Sequence, residues 1–344
     1  MRRSRLLALL LFAVLTPSVL GSPATAGDTL TRIKARNEVR CGVSDGIPGL
    51  SFKGPDGRWS GMDVDFCRAL AAAVLGDTEK VTYISLTAAA RFPSLKAGEV
   101  DVLARNTTWT LEREARLEVM FAGILFFDGQ SVLVPSKSHV REVSQLNGAT
   151  VCIVKGSTHE RNLFDYFRAR NWSYQPVLVE SQEKAAEALF SGQCQAFTSE
   201  RPQLMATRLR APDGPEGYLL LPDQITTEPM GPVVRRGDDE WFTIVRWVLF
   251  ELFRAEELGL TQANVKTRIE TRTEPLVDRW LEVDEIISKA MAIPPGWVMR
   301  VLASVGNYAE MFERNLGKES ALKLDRGLNR LWTDGGLMYS PPFR

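Results

Sequence analysis

Two stretches of the chain share one pattern: LKAGEVDVL at residues 95–103 and LFSGQCQAF at residues 189–197. Each places a glycine after an apolar segment with helical spacing, where a left-handed cap ends a helix, and then continues as a short strand. A motif this short can arise by chance, but the first predicted strand of each half, 39–43 and 150–154, also carries a cysteine. We therefore interpret the chain as two units of related design.

Strands and helices alternate around both copies of this pattern. The predicted strands are 39–43, 81–84 and 100–103 in the first half and 150–154, 177–179 and 194–197 in the second. This alternation is typical of an α/β sheet with right-handed crossovers. After Asp238 the apolar residues recur with helical spacing, over 241–258, 262–269 and 298–316.

Two extended segments connect the halves. The apolar run 121–135 leads from the first half into the second, and 230–235 leads back. We expect lobe 1 to comprise residues 27–130 and 235–344, with a C-terminal helical extension, and lobe 2 to comprise residues 131–234. Two crossing strands form a hinge, and open α/β sheets bind ligands at the carboxyl ends of their strands. The predicted fold is α/β, with a ligand cleft between two lobes.

The N-terminus has the features of an export signal. Three arginines precede the apolar run 6–15, and the small-residue motif Ala24-Thr25-Ala26 follows it. A membrane anchor is the alternative, but a bilayer crossing needs about 20 apolar residues. We therefore predict that residues 1–26 form a cleaved signal peptide and that the mature protein is periplasmic.

Four cysteines are destined for an oxidising compartment, where an even number favours disulfides. Three pairings are possible. We expect the nearest-neighbour one, Cys41 with Cys67 and Cys152 with Cys194, and free buried thiols are the alternative. No cysteine pair has C-x-x-C spacing, and the two histidines are isolated in sequence, so no metal site is predicted.

Composition and motifs exclude further classes of function. The chain holds 42 basic and 42 acidic residues, so no basic excess indicates a nucleic-acid partner. No P-loop, dinucleotide fingerprint or G-x-S-x-G motif occurs, and no cofactor is expected.

Several motifs resemble the periplasmic polar amino-acid-binding proteins of ABC importers, in the branch of general L-amino-acid binders. They are GMDVDFC at 61–67, RNTTWT at 105–110, EPMGP at 228–232, GNY at 306–308 and LWTDGGL at 331–337. The resemblance covers essentially the whole mature chain. It implies a periplasmic-binding-protein-like type II fold, a monomer, an amino-acid ligand in the interlobe cleft, and delivery of that ligand to a membrane permease.

An α-amino acid presents a carboxylate and an ammonium, which require cationic donors and anionic acceptors. The resemblance implies that Arg113, in a T-x-x-R motif, clamps the carboxylate, and that Asn106 and Thr108 contact the ligand. Ser157 and Thr158 lie at a strand-to-helix corner whose hydroxyl and N–H groups can bind an anion.

Several candidate residues also have a purely structural interpretation. Arg113 can be a surface arginine beside two glutamates, and Thr158 a plain helix cap. Trp109, inside the RNTTWT loop, is expected to line the cleft, and packing in the lobe is the alternative. Asp63 and Asp65 begin a predicted helix, which favours capping and complementation of the helix dipole over a catalytic pair.

Glu200 departs from the family pattern. Related proteins place an aspartate there to accept from the ligand ammonium, and glutamate extends the carboxylate by about 1.5 Å. Arg201 can neutralise this charge internally, which leaves the identity of the ligand open. We expect a binding protein rather than an enzyme, because no second carboxylate or histidine is evident near the site. Two alternatives remain: a dehydratase-type enzyme on the same fold with Glu200 as an acid, and a sensor component that presents its closed form to a signalling partner.

Overall fold

A computed structural model of the protein describes residues 28–44, 46–271 and 275–343, without the side chains of 281–285. The predicted signal peptide, 1–26, lies outside the described residues. Within them, no helix combines the length and the apolar content needed to cross a bilayer.

The first half of the chain contains these elements: α1 (Thr29–Arg36), β1 (Val39–Val43), β2 (Phe52–Lys53), β3 (Trp59–Ser60), α2 (Met62–Leu75), β4 (Val81–Ser85), α3 (Arg91–Ala97), β5 (Val102–Leu103), α4 (Leu111–Arg116), β6 (Val119–Phe121), β7 (Phe126–Asp128) and β8 (Gln130–Pro135). The second half contains β9 (Thr150–Val154), α5 (His159–Arg168), β10 (Gln175–Val179), α6 (Gln182–Phe190), β11 (Ala196–Glu200), α7 (Arg201–Leu209), β12 (Tyr218–Leu220), β13 (Glu228–Met230), β14 (Val233–Arg235), α8 (Asp239–Glu257), α9 (Val265–Thr271), α10 (Pro275–Ala290), α11 (Trp297–Val305) and α12 (Tyr308–Asn315).

Two five-stranded sheets of the same design form the two lobes. The first has the strand order β4-β1-β5-β14-β6 and the second has the order β10-β9-β11-β8-β12. In each sheet one strand pairs in parallel with two neighbours, β1 with β4 and β5, and β9 with β10 and β11. In the first sheet β14 pairs antiparallel with β5, and in the second sheet β8 pairs antiparallel with β11. Both strands follow a crossing between the lobes. The predicted α/β fold with two lobes is confirmed.

The repeated corners have the expected glycine geometry. Gly98 follows α3 at φ 75°, and Gly192 lies two residues beyond the end of α6 at φ 77°. L-residues with a side chain rarely adopt this region, so glycine ends both helices at low energetic cost and turns the chain into the next strand.

The hinge consists of β7 and β13, which pair antiparallel between the two sheets. The structure divides the single extended strand expected over 121–135 into β6, β7 and β8. Gly123 adopts φ 152° between β6 and β7, and a Cβ on Gly231 would lie 1.8 Å from the carbonyl oxygen of Gly123. Only glycine at position 231 allows the two crossing segments to approach this closely.

The C-terminal helices pack on lobe 1 and also contact the hinge. Helix 298–316 of the sequence prediction is divided into α11 and α12, because Gly306 takes φ 75° and Asn307 caps α12 in a capping box. The hydroxyl of Tyr308 donates to the carbonyl of Leu125 at 2.8 Å. Asn329 accepts from the N–H of Phe127 at 2.7 Å and donates to its carbonyl at 2.9 Å. A side chain of the extension thus pairs with β7 as a neighbouring strand would.

Each lobe contains one disulfide. Cys41 in β1 is bonded to Cys67 in α2, and Cys152 in β9 is bonded to Cys194, two residues before β11. This is the nearest-neighbour pairing expected from the sequence. Closing loops of 26 and 42 residues stabilises the fold by about 3–4 kcal/mol each in the chain-entropy model. The boundaries expected for the lobes, near residues 130 and 235, stay a prediction.

Candidate functional site

A cleft of about 550 Å³ lies between the lobes at the carboxyl ends of their strands. Lobe 1 contributes Ala88, Ala89, Phe92, Thr110 and Arg113, and lobe 2 contributes Gly156, Ser157, Thr158 and Asn162. The lobes touch beside it, since a Cβ on Gly156 would lie 3.3 Å from the Cα of Ala89. The cleft is closed enough for one ligand to contact both lobes.

Arg113 faces this cleft as a buried cation, with 9% of its surface exposed. Thr110 caps α4 by accepting from the N–H of Arg113 at 3.2 Å, and the guanidinium donates to the carbonyl of Thr108 at 2.7 Å. Burial lowers the pKa of Arg113 to about 10, so the side chain stays charged at neutral pH. The alternative of an exposed surface arginine is wrong.

Thr108 and Thr158 meet across the cleft, with their hydroxyl oxygens 3.5 Å apart. The hydroxyl of Thr158 does not cap α5, so its interpretation as a plain helix cap is wrong. Ser157 lies in the cleft wall, where its hydroxyl donates to the carbonyl of Val154 at 2.6 Å. The hydroxyls of Thr108 and Thr158, one from each lobe, can therefore donate to the same acceptor.

That acceptor is Glu228, the first residue of β13, with 1% of its surface exposed. Its carboxylate accepts from Thr108 at 2.5 Å and from Thr158 at 3.0 and 3.2 Å. The amide of Asn162 and the hydroxyl of Thr226, at 3.3 Å, also donate to it. Sequence reasoning gave Glu228 no role, although a carboxylate in the EPMGP motif, two residues before the segment predicted to cross between the lobes, was a usable signal.

Glu200 ends β11 beneath these residues, with 3% of its surface exposed. One carboxylate oxygen lies 3.2 Å from His159 Nε2 and 3.4 Å from the amide nitrogen of Asn106. The hydroxyl of Ser199 donates to the other at 2.9 Å. Burial opposes ionisation of both partners, but their mutual charge outweighs it, lowering the pKa of Glu200 and raising that of His159.

The expectation that Arg201 neutralises Glu200 is therefore wrong, because His159 takes that position. His159 begins α5, and the fold brings it to the end of β11. The two residues are far apart in sequence, so the sequence did not predict this contact.

Residues 39–264 match the sequence profile of the bacterial extracellular solute-binding proteins, family 3. The chain belongs to this family. The resemblance drawn from the sequence motifs is thereby confirmed.

Three relatives are similar to this chain over most of its length. The general L-amino acid-binding periplasmic protein AapJ of Rhizobium johnstonii is 42% identical over 339 residues, covering 97% of this chain and 99% of AapJ. The glutamate/glutamine/aspartate/asparagine-binding protein BztA of Rhodobacter capsulatus is 39% identical over 333 residues, covering 97% and 98%. An ABC transporter periplasmic binding protein from Brucella ovis, solved with glutathione bound, superposes with a TM-score of 0.88 at 42% identity, covering 92% and 100%.

In this family 3 protein two further carboxylates approach the site, so the expectation of no second carboxylate or histidine is wrong. Asp63 accepts from the N–H of Asn106 at 3.1 Å and holds that residue at φ 34°, which is uncommon for a residue with a side chain. Burial raises the pKa of Asp63 to about 7 and the pKa of Asp128 well above its usual range. Among the described residues, Asp128 Oδ2 has no hydrogen-bond partner.

Asp63 and Asp65 lie in the first turn of α2, where they complement the helix dipole as expected, but the capping part of their interpretation is wrong. No side chain caps α2 in this solute-binding protein. Asp63 positions the Asn106 loop, and Asp65 binds Arg314 and Asn315, each at 2.7 Å. Both aspartates therefore connect α2 to other parts of the protein.

Trp109 does not line the cleft, in contrast to the expectation from its place in the RNTTWT motif. Its ring stacks on Phe121 at 5.4 Å with an interplanar angle of 5°, and its indole N–H donates to Glu114 at 2.9 Å. Alternate residues of an extended loop face opposite sides, so Thr108 faces Thr158 and Glu228 while Trp109 packs in lobe 1.

His159, Glu200 and Glu228 are the described residues with the chemistry of a metal site. One ligand atom from each lies within 4.8 Å of the others, and all three are buried. Histidine and carboxylates are common ligands of divalent cations, so these three residues can hold one. The contacts that they already make, His159 with Glu200 and Glu228 with hydroxyl and amide donors, give no independent indication of a metal.

Proposed function

We propose that this protein is a periplasmic receptor that captures a ligand with an amino-acid head group in the interlobe cleft and delivers it to the permease of an ABC importer. It acts as a monomer, without a cofactor or nucleic acid. The observation that carries the proposal is the buried Arg113 beside facing hydroxyls from the two lobes, Thr108 and Thr158. These donors match a carboxylate held by both lobes at once.

The other end of the ligand faces acceptors. Glu200 is ionised and buried, and the amide oxygen of Asn106 has no hydrogen-bond partner among the described residues. Both groups suit an ammonium. Because the ligand contacts both lobes, binding shifts the population toward the closed form by hinge motion.

The names of the relatives define two candidate ligand classes. AapJ and BztA are named as binders of free amino acids, and the Brucella ovis relative was solved with glutathione bound. The γ-glutamyl end of glutathione carries a free α-ammonium and α-carboxylate, so both classes present the same head group. A cleft of about 550 Å³ leaves space beyond that head group for either tail.

A dehydratase-type enzyme is the second candidate, because the fold places His159 next to Glu200 and raises the pKa of Asp63 to about 7. A carboxyl group with that pKa is suited to general acid–base catalysis near neutral pH. We favour the receptor because the relatives named above are binding proteins.

Calorimetry and thermal shift with the twenty L-amino acids and glutathione test the proposal, with turnover followed by mass spectrometry. A specific ligand raises the melting temperature without forming product. Arg113→Ala is expected to weaken binding by at least ~30-fold, since removing a buried charged partner costs about 2–5 kcal/mol. Arg58→Ala, whose side chain is 87% exposed, is the matched control and should leave affinity unchanged. No binding by any compound refutes the amino-acid head group, and product formation refutes a receptor without catalysis.

A further inference from the structure

The carboxylate of Glu228 lies where the donors proposed for the ligand converge. Thr108 from lobe 1 and Thr158 from lobe 2 both donate to it, and Asn162 of α5 adds an amide. These are the hydroxyls that the proposed function assigns to the carboxylate of the ligand. A side chain of the protein thus makes the hydrogen bonds that a bound ligand would make.

The charge of Glu228 acts on the same arginine as a ligand carboxylate would. Among the carboxylates near Arg113, Glu228 most strongly favours its charged form, ahead of Glu200. An oxygen of Glu228 also lies within 4.8 Å of a carboxylate oxygen of Glu200 and a ring nitrogen of His159. Glu228 therefore lies close both to the hydroxyls proposed to bind the ligand carboxylate and to Glu200, the acceptor proposed for the ligand ammonium.

Two carboxylates cannot share this position. Like charges at a few Ångströms repel strongly in a buried site, and each hydroxyl has one proton to donate. The carboxylate of a ligand and that of Glu228 are therefore mutually exclusive occupants.

We propose that Glu228 is a specificity-determining residue that occupies the carboxylate seat between Thr108 and Thr158, so that a ligand must bring its own carboxylate to replace it. The proposal rests on the proposed function of this site. Under this proposal Glu228 competes with the ligand carboxylate, and its hydrogen bonds to Thr108 and Thr158 connect the two lobes.

The position of Glu228 in the hinge allows this exchange. Pro229 follows it and restricts its backbone to extended conformations, so the carboxylate leaves the seat by rotation of the side chain. Thr227, which precedes it, is exposed, so solvent lies close to the start of β13. The same strand connects the lobes, which couples the departure of Glu228 to the contacts that hold them together.

Glu228→Gln tests the competition, because the amide keeps the shape but lacks the charge that holds the seat. If Glu228 occupies the seat in about nine molecules of ten, its removal tightens apparent affinity by ~10-fold. We expect this gain in calorimetry with L-glutamine at pH 7, and no gain with L-glutamine amide, which has no carboxylate. Thr226→Val, which removes one donor to Glu228, should give a smaller gain.

A second measurement needs no ligand. Small-angle scattering of the free protein should give a larger radius of gyration for Glu228→Gln than for wild type, because the hydrogen bonds that connect the lobes through Glu228 are weaker without its charge. Glu216→Gln, with a side chain 92% exposed, is the matched control and should change neither result. Melting curves confirm that each variant is folded.

The outcomes separate this proposal from the proposed function. Unchanged or weaker binding of L-glutamine by Glu228→Gln overturns the competition and makes Glu228 an acceptor for the ammonium. If wild type and variant bind neither L-glutamine nor any compound of the screen, the proposed function fails. In that case an unchanged radius of gyration in Glu228→Gln overturns the role of Glu228 as well.

Discussion

Glu200→Gln is the substitution that most directly tests the ammonium end of the site. Glutamine has nearly the same volume, and its single carbonyl oxygen can still accept from Asn106 or from Ser199, so the change removes charge with little change of shape. A buried charged acceptor is worth about 2–5 kcal/mol to its partner, so an amino acid should bind at least ~30-fold more weakly. Calorimetry at pH 7 measures this loss.

The same substitution changes stability, because Glu200 and His159 form a pair in which both side chains are at least 95% buried. Removing one partner of such a pair costs about 3–5 kcal/mol. We expect the lower end of that range, since the imidazole can lose its proton when its anion is gone.

The pH dependence of that cost has a defined sign. The lowered pKa of Glu200 gives stability that is present above its unfolded value and lost as the pH falls through the folded one. The raised pKa of His159 gives stability that is present below its unfolded value and lost as the pH rises through the folded one. The difference between wild type and Glu200→Gln should therefore be greatest between about pH 4.5 and 6.5.

Urea unfolding from pH 4 to pH 9 measures this difference. Glu187→Gln removes one partner of an exposed pair, with side chains 63% and 56% exposed, and should change stability by no more than ~0.5 kcal/mol at any pH. Parallel stability curves for wild type and Glu200→Gln, or an unchanged dissociation constant, would refute the role of the pair.

Three further predictions concern other parts of the protein. Trp109→Leu should lower the melting temperature but leave ligand affinity within about twofold, and a loss comparable to that of Glu200→Gln would return Trp109 to the cleft. Gly231→Ala should destabilise the protein by more than ~3 kcal/mol in urea, because its Cβ would lie 1.8 Å from the Gly123 carbonyl oxygen, whereas Gly217→Ala should be tolerated. Asp63→Asn should abolish a stabilisation that wild type has at pH 4 and loses as the pH rises through about 7, and a pH-independent difference between the two proteins would contradict the raised pKa.

The sequence predicted what local patterns determine. The glycines at 98 and 192 end their helices as expected, because the left-handed conformation is a property of a few neighbouring residues. The two α/β lobes followed from the alternation of helices and strands. Local motifs and the family resemblance also predicted one site for Arg113, Thr108 and Thr158, and in the structure Thr108 contacts both of the others.

The errors share one physical cause, which is that side-chain partners distant in sequence are set by the fold. His159 meets Glu200 only because α5 begins at the edge of the sheet where β11 ends. Glu228 meets Thr108 only because the chain crosses between the lobes a second time, 120 residues later. Trp109 was misplaced because proximity in a motif does not determine which side of a loop a residue faces.

The contact between Asn329 and Phe127 has a practical consequence for protein engineering. The stretch that matches the family profile ends at residue 264, and every residue assigned to the cleft precedes it. A biosensor truncated there would retain every residue of the cleft, yet it would lose the core side chains of α11 and α12 and leave the backbone groups of Phe127 without their present partners. Such a protein would be destabilised and would open and close differently, so the terminal eighty residues belong in any sensor built from this chain.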